Sequence, residues 1–299
     1  MLLDVIGKQT DATLGAVRRT FTMIKGLHGY SFNYSNVVTQ AKIAYQAGFD
    51  SVQLLPEHLF RYLEHGGTIE KYQKLLDNYG LNVGNINAIK EIGRHQGHQR
   101  EQLLAEAERI FRTAQAFHCP VVQIMTMHEV DYLPEEQMLT VLADNIRALA
   151  EMGMKYGGIK LQIELVGYTK FNKIQQALEV IKRSGIDNVG LVIDFWHLYV
   201  SGHQPQDIAK LDKDQIIGVH ICDGRLPHPG ELWDELIQRD YAVGEGDIDV
   251  QAWVNAVKAT GFDGPWSLEL VSPRHWEDDL LDTAITNSRQ IDDLVQGTS

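Results

Sequence analysis

Residues 160–194 read KLQIELVGYTKFNKIQQALEVIKRSGIDNVGLVID and hold one complete strand–helix–strand unit. Lys160–Leu165 and Gly190–Asp194 are short and rich in Val, Ile and Leu, as strands buried on both faces must be. Between them, Lys173–Ser184 carries an amphipathic helical pattern that runs into Ser184-Gly185-Ile186, a helix stop followed by an apolar residue. Two such strands joined by a helix pair in parallel, and the pattern repeats outward along the chain. The remaining candidate strands are Phe21–Gly26, Ser51–Leu55, Asn82–Asn87, Val121–Thr126, Ile216–Ile221 and Trp266–Leu270. Helices are predicted at Asn36–Ala47, Ile69–Tyr79, Glu101–Phe117, Glu136–Tyr156, Val250–Thr260 and Asp279–Leu294. In the second of these, Ile69, Tyr72, Leu75, Leu76 and Tyr79 form one apolar stripe at helical spacing.

Eight strand–helix units without a Pro/Ser-rich linker point to an α/β protein built as a single (β/α)8 TIM barrel over residues 1–299, rather than two doubly wound domains. Residues 1–20 form an N-terminal extension without an assigned role. Residues 222–248 form a long loop after strand seven, about 27 residues before the next helix, and loops that long are usually functional. That loop is the candidate lid.

Composition sets the partners. Of 299 residues, 44% are hydrophobic and 22% charged, which is globular usage and excludes collagen-like, disordered and disulfide-scaffold classes. Lys and Arg number 27 against 40 Asp and Glu, a net charge of -13 that repels nucleic acid and anionic lipid. Cys119 and Cys222 are far apart, so no CxxC or paired-bridge pattern exists. The N-terminal stretch meets Asp4 early and reads as no secretory leader, and no apolar run approaches the roughly 18 residues of a membrane span. A cytoplasmic protein is expected, without nucleic-acid or membrane partners, acting on a small molecule and possibly as a homo-oligomer.

In a barrel the reactive groups lie at the C-terminal strand ends. Four consecutive candidate strands there deliver an ionisable residue from an apolar run: Glu164, Asp194, His220 and Glu269. Three buried carboxylates beside one imidazole repel each other unless a divalent cation joins them. Three oxygens and one nitrogen suit Mn²⁺ or Mg²⁺, with Co²⁺ and Zn²⁺ also compatible.

The order Ile163-Glu164-Leu165, Asp194-Phe195-Trp196-His197, Val219-His220-Ile221-Cys222-Asp223, Gly244-Glu245-Gly246-Asp247-Ile248-Asp249 and Leu268-Glu269-Leu270 resembles the xylose isomerase-like barrel superfamily, the sugar phosphate isomerase/epimerase group. The resemblance implies Glu164, Asp194, His220 and Glu269 as metal ligands, with His197 near the substrate. It also implies Glu164 and Glu269 as the catalytic pair that moves a proton on opposite faces of an enediolate. Two positions depart from the family's ketose epimerases: Arg225 lies five rather than six residues past His220, and Lys170 stands where a second Glu is usual, which suits an anionic substrate. Glu57 and His58, following strand two, and Trp196 beside Asp194 complete the candidate substrate-binding set; helix capping and core packing are their competing roles.

The implied activity is a metal-dependent isomerase or epimerase acting on a ketose or related polyol. The alternative is a metal-dependent dehydratase of the keto-inositol or dehydroshikimate type. An apurinic endonuclease would need an Asp-x-His motif where Gln238-Arg239-Asp240 stands, and the acidic balance opposes DNA. A ligand-binding protein that keeps the barrel without catalysis is a further class.

Overall fold

The computed structural model describes residues 23–297. The extension at residues 1–20 and the first two residues of the predicted opening strand lie outside them. The eight strands are β1 (Ile24–His28), β2 (Ser51–Leu54), β3 (Asn82–Ile89), β4 (Val121–Met125), β5 (Lys160–Glu164), β6 (Val189–Asp194), β7 (Ile216–Ile221) and β8 (Pro265–Leu268). They close in sequence order into a parallel barrel, with β8 paired back to β1 through Gly26 and Ser267. The expected (β/α)8 architecture is therefore present.

Outside the barrel lie α1 (Val37–Gln46), α2 (Pro56–Glu64), α3 (Ile69–Tyr79), α4 (Gly97–Ala116), α5 (Glu135–Lys155) and α6 (Ile174–Ser184). They are followed by the short α7 (Phe195–Val200), α8 (Pro205–Ile208) and α9 (Glu235–Gln238), and then by α10 (Val250–Ala259), α11 (Pro273–Trp276) and α12 (Leu280–Gln296). Local chemistry fixes the ends. Asn36 caps α1 by accepting from Thr39 N at 2.9 Å, and Thr68 caps α3 through Lys71 N. Gly80 and Gly185 end α3 and α6 in the left-handed conformation that glycine adopts without strain. In α3 the predicted stripe turns inward, burying Tyr72 and Leu76 completely.

Two strands run further than predicted. β1 continues to His28 because Gly26 is not a terminator; it is the small residue over which Gln53 lies, and a Cβ there would stand 3.0 Å from the Gln53 amide nitrogen. β3 continues past Asn87 to Ile89. Helix α2, absent from the predicted set, starts with Pro56 at its first position.

The barrel interior departs from the usual branched apolar filling. Gln53, Asn85, Gln123, Gln162 and Ser267, all at most 5% exposed, form a polar floor below the C-terminal rim. Their hydrogen bonds include Ser267 to Gln53 at 3.2 Å and Gln162 to Gln123 at 2.6 Å.

The chain between β7 and α10 is tied at its neck. Asp223, 1% exposed, accepts from the backbone N–H groups of Gly224, Gly244, Gly246 and Ile248 at 2.7–3.2 Å. Gly246 is required there, since a Cβ would fall 2.2 Å from the carboxylate. Residues 225–243 thus leave and rejoin the barrel at one point, carrying α9 over the rim. Asp223→Ala leaves several buried donors unmet and should lower stability by roughly 2–4 kcal/mol. It should also open residues 225–243 to protease; thermal unfolding and limited proteolysis check both, and an unchanged cleavage pattern contradicts the tie.

Candidate active site and metal centre

Strand alternation delivers the site. On β5 the inward side chains are Gln162 and, one step higher, Glu164; on β7 the inward positions are Gly218, which leaves room for Gln162, and His220. Asp194 ends β6 and Glu269 directly follows β8. Ligand atoms of Glu164, Asp194, His220 and Glu269 all lie within 4.8 Å of one another, and all four residues are buried.

Internal hydrogen bonding leaves this cluster incomplete. Both ring nitrogens of His220 and Oε1 of Glu164 are buried without a hydrogen-bond partner. His220 Nδ1 stands 3.1 Å from Glu269 Oε2 and 3.5 Å from Glu164 Oε1, in neither case with hydrogen-bond geometry. Unmet donors and acceptors at this depth cost free energy, and a cation bound by these oxygens and the imidazole removes that cost. Three carboxylates and one imidazole gathered this closely are a donor set that fits a divalent ion.

The ionisable groups are tuned in opposite directions. Burial raises Glu164, reinforced by the nearby Glu269 charge. Glu269 is also opposed by burial, yet the surrounding His28, Arg239 and His220 hold it well below the usual carboxylate range. Burial works against a charged His220, but Glu269 and Glu164 outweigh it and raise the imidazole to about 10. His28, whose ring centroid is 4.7 Å from that of His220, is pushed down to about 3 by burial.

A cavity of about 320 Å³ opens above the cluster. Glu164, His197 and Glu269 line it, while Asp194 and His220 sit beneath. Asp194 also caps α7 by accepting from His197 N at 2.8 Å, which places His197 at the wall, where its Nδ1 accepts from Gly167 N.

Five residues of the predicted substrate set do not line this cavity. Trp196 is wholly buried behind it, stacked 5.1 Å from the Arg239 guanidinium, with its indole N–H donated to Arg225 O. Arg225 turns away to Glu231 at 2.6 and 2.8 Å and to Tyr241 at 3.1 Å. Lys170 is exposed, its ammonium donated to Leu133 O and its backbone N to Asp131. His58 is buried between Gln40 and Asn33, beside a separate cavity. Glu57 is half exposed in the first turn of α2, 3.6 Å from Lys90. In each case an internal partner or helix position accounts for the residue.

The sequence pattern did not mark the group that matters most. Arg239, 2% exposed, donates to Asp194 Oδ2 at 3.1 Å, Glu235 Oε2 at 2.9 Å and Glu269 Oε2 at 3.4 Å. It was visible in sequence only as a basic residue in the long loop, five positions before Gly244. Tyr168 donates to Glu235 at 2.6 Å, so the counter-ion of Arg239 is itself fixed. Tyr30, Asn87 and Lys90 complete the polar wall; Leu55, Met125, Met127, Val166 and Val271 form the apolar one.

The family described as xylose isomerase-like TIM barrel matches residues 41–289. Among characterised proteins, an inosose isomerase of Halalkalibacterium halodurans is 24% identical over 250 residues, covering 81% of this chain and 86% of that protein. A 3-dehydroshikimate dehydratase of Pseudomonas aeruginosa is 28% identical over 229 residues, 75% of this chain but 34% of that longer protein. Among solved structures, the IolI protein with bound zinc superposes with a TM-score of 0.83 at 22% identity, covering 92% of this chain and 98% of that one. The chain belongs to the xylose isomerase-like TIM barrel family.

Proposed function

We propose that this chain is a metal-dependent isomerase or epimerase of a ketose or keto-polyol, with Glu164 and Glu269 moving the proton next to the carbonyl. The observation that carries the reading is two buried glutamates lining one cavity above a four-residue metal cluster. Relatives named as an inosose isomerase and a dehydroshikimate dehydratase support an enzyme on this scaffold.

Glu164, Asp194, His220 and Glu269 would hold the cation, which when bound stabilises negative charge collecting on a substrate oxygen, an effect worth several kcal/mol. Removing a proton beside a carbonyl needs a base on one side and an acid on the other. Glu164 after three buried β5 residues and Glu269 at the mouth of β8 are set apart by two intervening strands, so they approach a substrate from different sides. Arg239 cannot lose its charge and stays beside Glu269 and Asp194 as a fixed donor for a substrate oxygen. The apolar wall of Met125, Met127, Val166 and Val271 excludes water from the carbon skeleton.

A dehydratase is the second reading. Lys90, half exposed on the cavity wall, offers a cation to a substrate carboxylate, as a dehydroshikimate-type acid would require. Proton transfer conserves substrate mass, whereas dehydration removes one water.

Incubation of the Mn²⁺-loaded protein in D₂O with ketoses and keto-inositols should show deuterium exchange next to the carbonyl by NMR. Glu164→Gln and Glu269→Gln should each reduce that exchange at least 100-fold. Full activity in either variant eliminates the assigned pair, and a product lighter by one water selects the dehydratase.

Two stability measurements address the metal and Arg239. Mn²⁺ or Zn²⁺ at about 100 times Kd should stabilise the fold by ~2.7 kcal/mol, a gain that His220→Asn should largely abolish. Arg239→Met leaves Asp194 and Glu269 without their partner and should cost about 3–5 kcal/mol in the metal-free protein. Part of that loss should return on metal loading; thermal melts with and without ion provide both values.

A further inference from the structure

We infer that Gln123 is the positioning residue for Glu164, held in turn by Gln162 through an amide chain across the barrel floor. The inference rests on the part of the reading above in which Glu164 helps hold a cation, and not on which substrate is turned over. Gln123 Nε2 donates to Glu164 Oε2 at 2.9 Å, and Gln162 Nε2 donates to Gln123 Oε1 at 2.6 Å. All three side chains are at most 3% exposed, so water does not substitute for either bond.

The chain has a direction set by chemistry. An ionised carboxylate only accepts, so Gln123 must turn its NH₂ toward Glu164 and its carbonyl away. That carbonyl then needs a donor, which Gln162 provides from the adjacent strand, where Gln123 and Gln162 are directly paired in register. Gln162 in turn requires room above β7. A Cβ at Gly218 would stand 2.9 Å from Gln162 Oε1, so glycine at that position is part of the same arrangement.

The consequence falls on Glu164 Oε1. With Oε2 tied to the floor, Oε1 is the oxygen turned toward His220, and it is the one left without a hydrogen-bond partner. A neutral amide fixes the carboxylate plane without neutralising it. A Lys or Arg in the place of Gln123 would orient Glu164 equally well but would compete with a cation for its charge. Glu269, by contrast, lies 3.4 Å from the Arg239 guanidinium.

The test compares Gln123→Met, Gln162→Met and Gln53→Met in the full-length protein, reading Mn²⁺ and Zn²⁺ affinity by calorimetry and, with an active substrate, kcat and KM. Gln53 is a buried floor amide on the far strand β2, bonded to Ser267, and controls for loss of a floor hydrogen bond. Gln123→Met should weaken metal binding about 10–100-fold, the range for losing the partner of a ligand, and lower kcat with little change in KM. Gln162→Met should give a smaller loss of the same kind, and Gln53→Met should leave metal affinity within twofold of the parent.

A folded Gln123→Met protein with parental metal affinity overturns the inference, as does an equal loss in Gln53→Met. Should Gln123→Met fail to fold, Gln162→Met decides, because parental affinity there breaks the chain at its second link. A parent without turnover on any ketose, combined with weakened metal binding in Gln123→Met, rejects the proposed activity and sustains the positioning role. A parent that takes up neither ion rejects both.

Discussion

Everything at the C-terminal rim follows from the burial of negative charge. Glu164, Asp194 and Glu269 converge with His220 at exposures of 7% or less, in a region where an isolated carboxylate would cost several kcal/mol. The protein supplies one permanent cation, Arg239, placed against Asp194 and Glu269 and seated on Trp196. One guanidinium does not balance the set, particularly as Glu235 also shares it. Glu164 Oε1 and both ring nitrogens of His220 are left buried without hydrogen-bond partners.

Holding those charges in place explains features that would otherwise weaken a barrel. Amides below the site replace branched apolar side chains, and glycines at 26 and 218 make room for two of them. Above the site, the tied neck at Asp223 converts a long connection into a bounded one, so that Arg239 arrives from the loop with little freedom to leave. The exposed Leu232, Trp233 and Ile237 belong to that excursion, and Trp233 packs against Tyr168 and Trp196 at ring distances near 6 Å. The floor holds Glu164 from below, while Arg239 from the excursion holds Asp194 and Glu269.

The architecture was legible because parallel strands and crossover helices impose patterns within short windows. Val121–Met125 and Ile216–Ile221 are apolar runs in any context, and Gly80 and Gly185 mark helix ends by their own backbone preference. The convergence of Glu164, Asp194, His220 and Glu269 was legible for the same reason, since each lies at or next to the C-terminal end of a recognisable strand. The rest of the cavity wall was not. Arg239 reaches the site only through the folding of the 225–243 excursion, whose path depends on Asp223 meeting Gly244, Gly246 and Ile248 some 21–25 residues later. Proximity in sequence misled in the other direction: Arg225 is near His220 along the chain but satisfies Glu231, and Lys170 is near Glu164 but satisfies Leu133.

The two glutamates show how one fold can give identical side chains different chemistry. Burial raises the carboxyl of Glu164, and the neighbouring Glu269 charge adds to it. Glu269 sits among Arg239, His220 and His28, and its carboxyl is lowered despite equal burial. The difference follows what each carboxylate faces: Glu164 the amides of the barrel floor, Glu269 the guanidinium carried in by the excursion after β7. Of the two glutamates, the floor amide bonds Glu164 and the guanidinium bonds Glu269, so each is held by a different part of the fold.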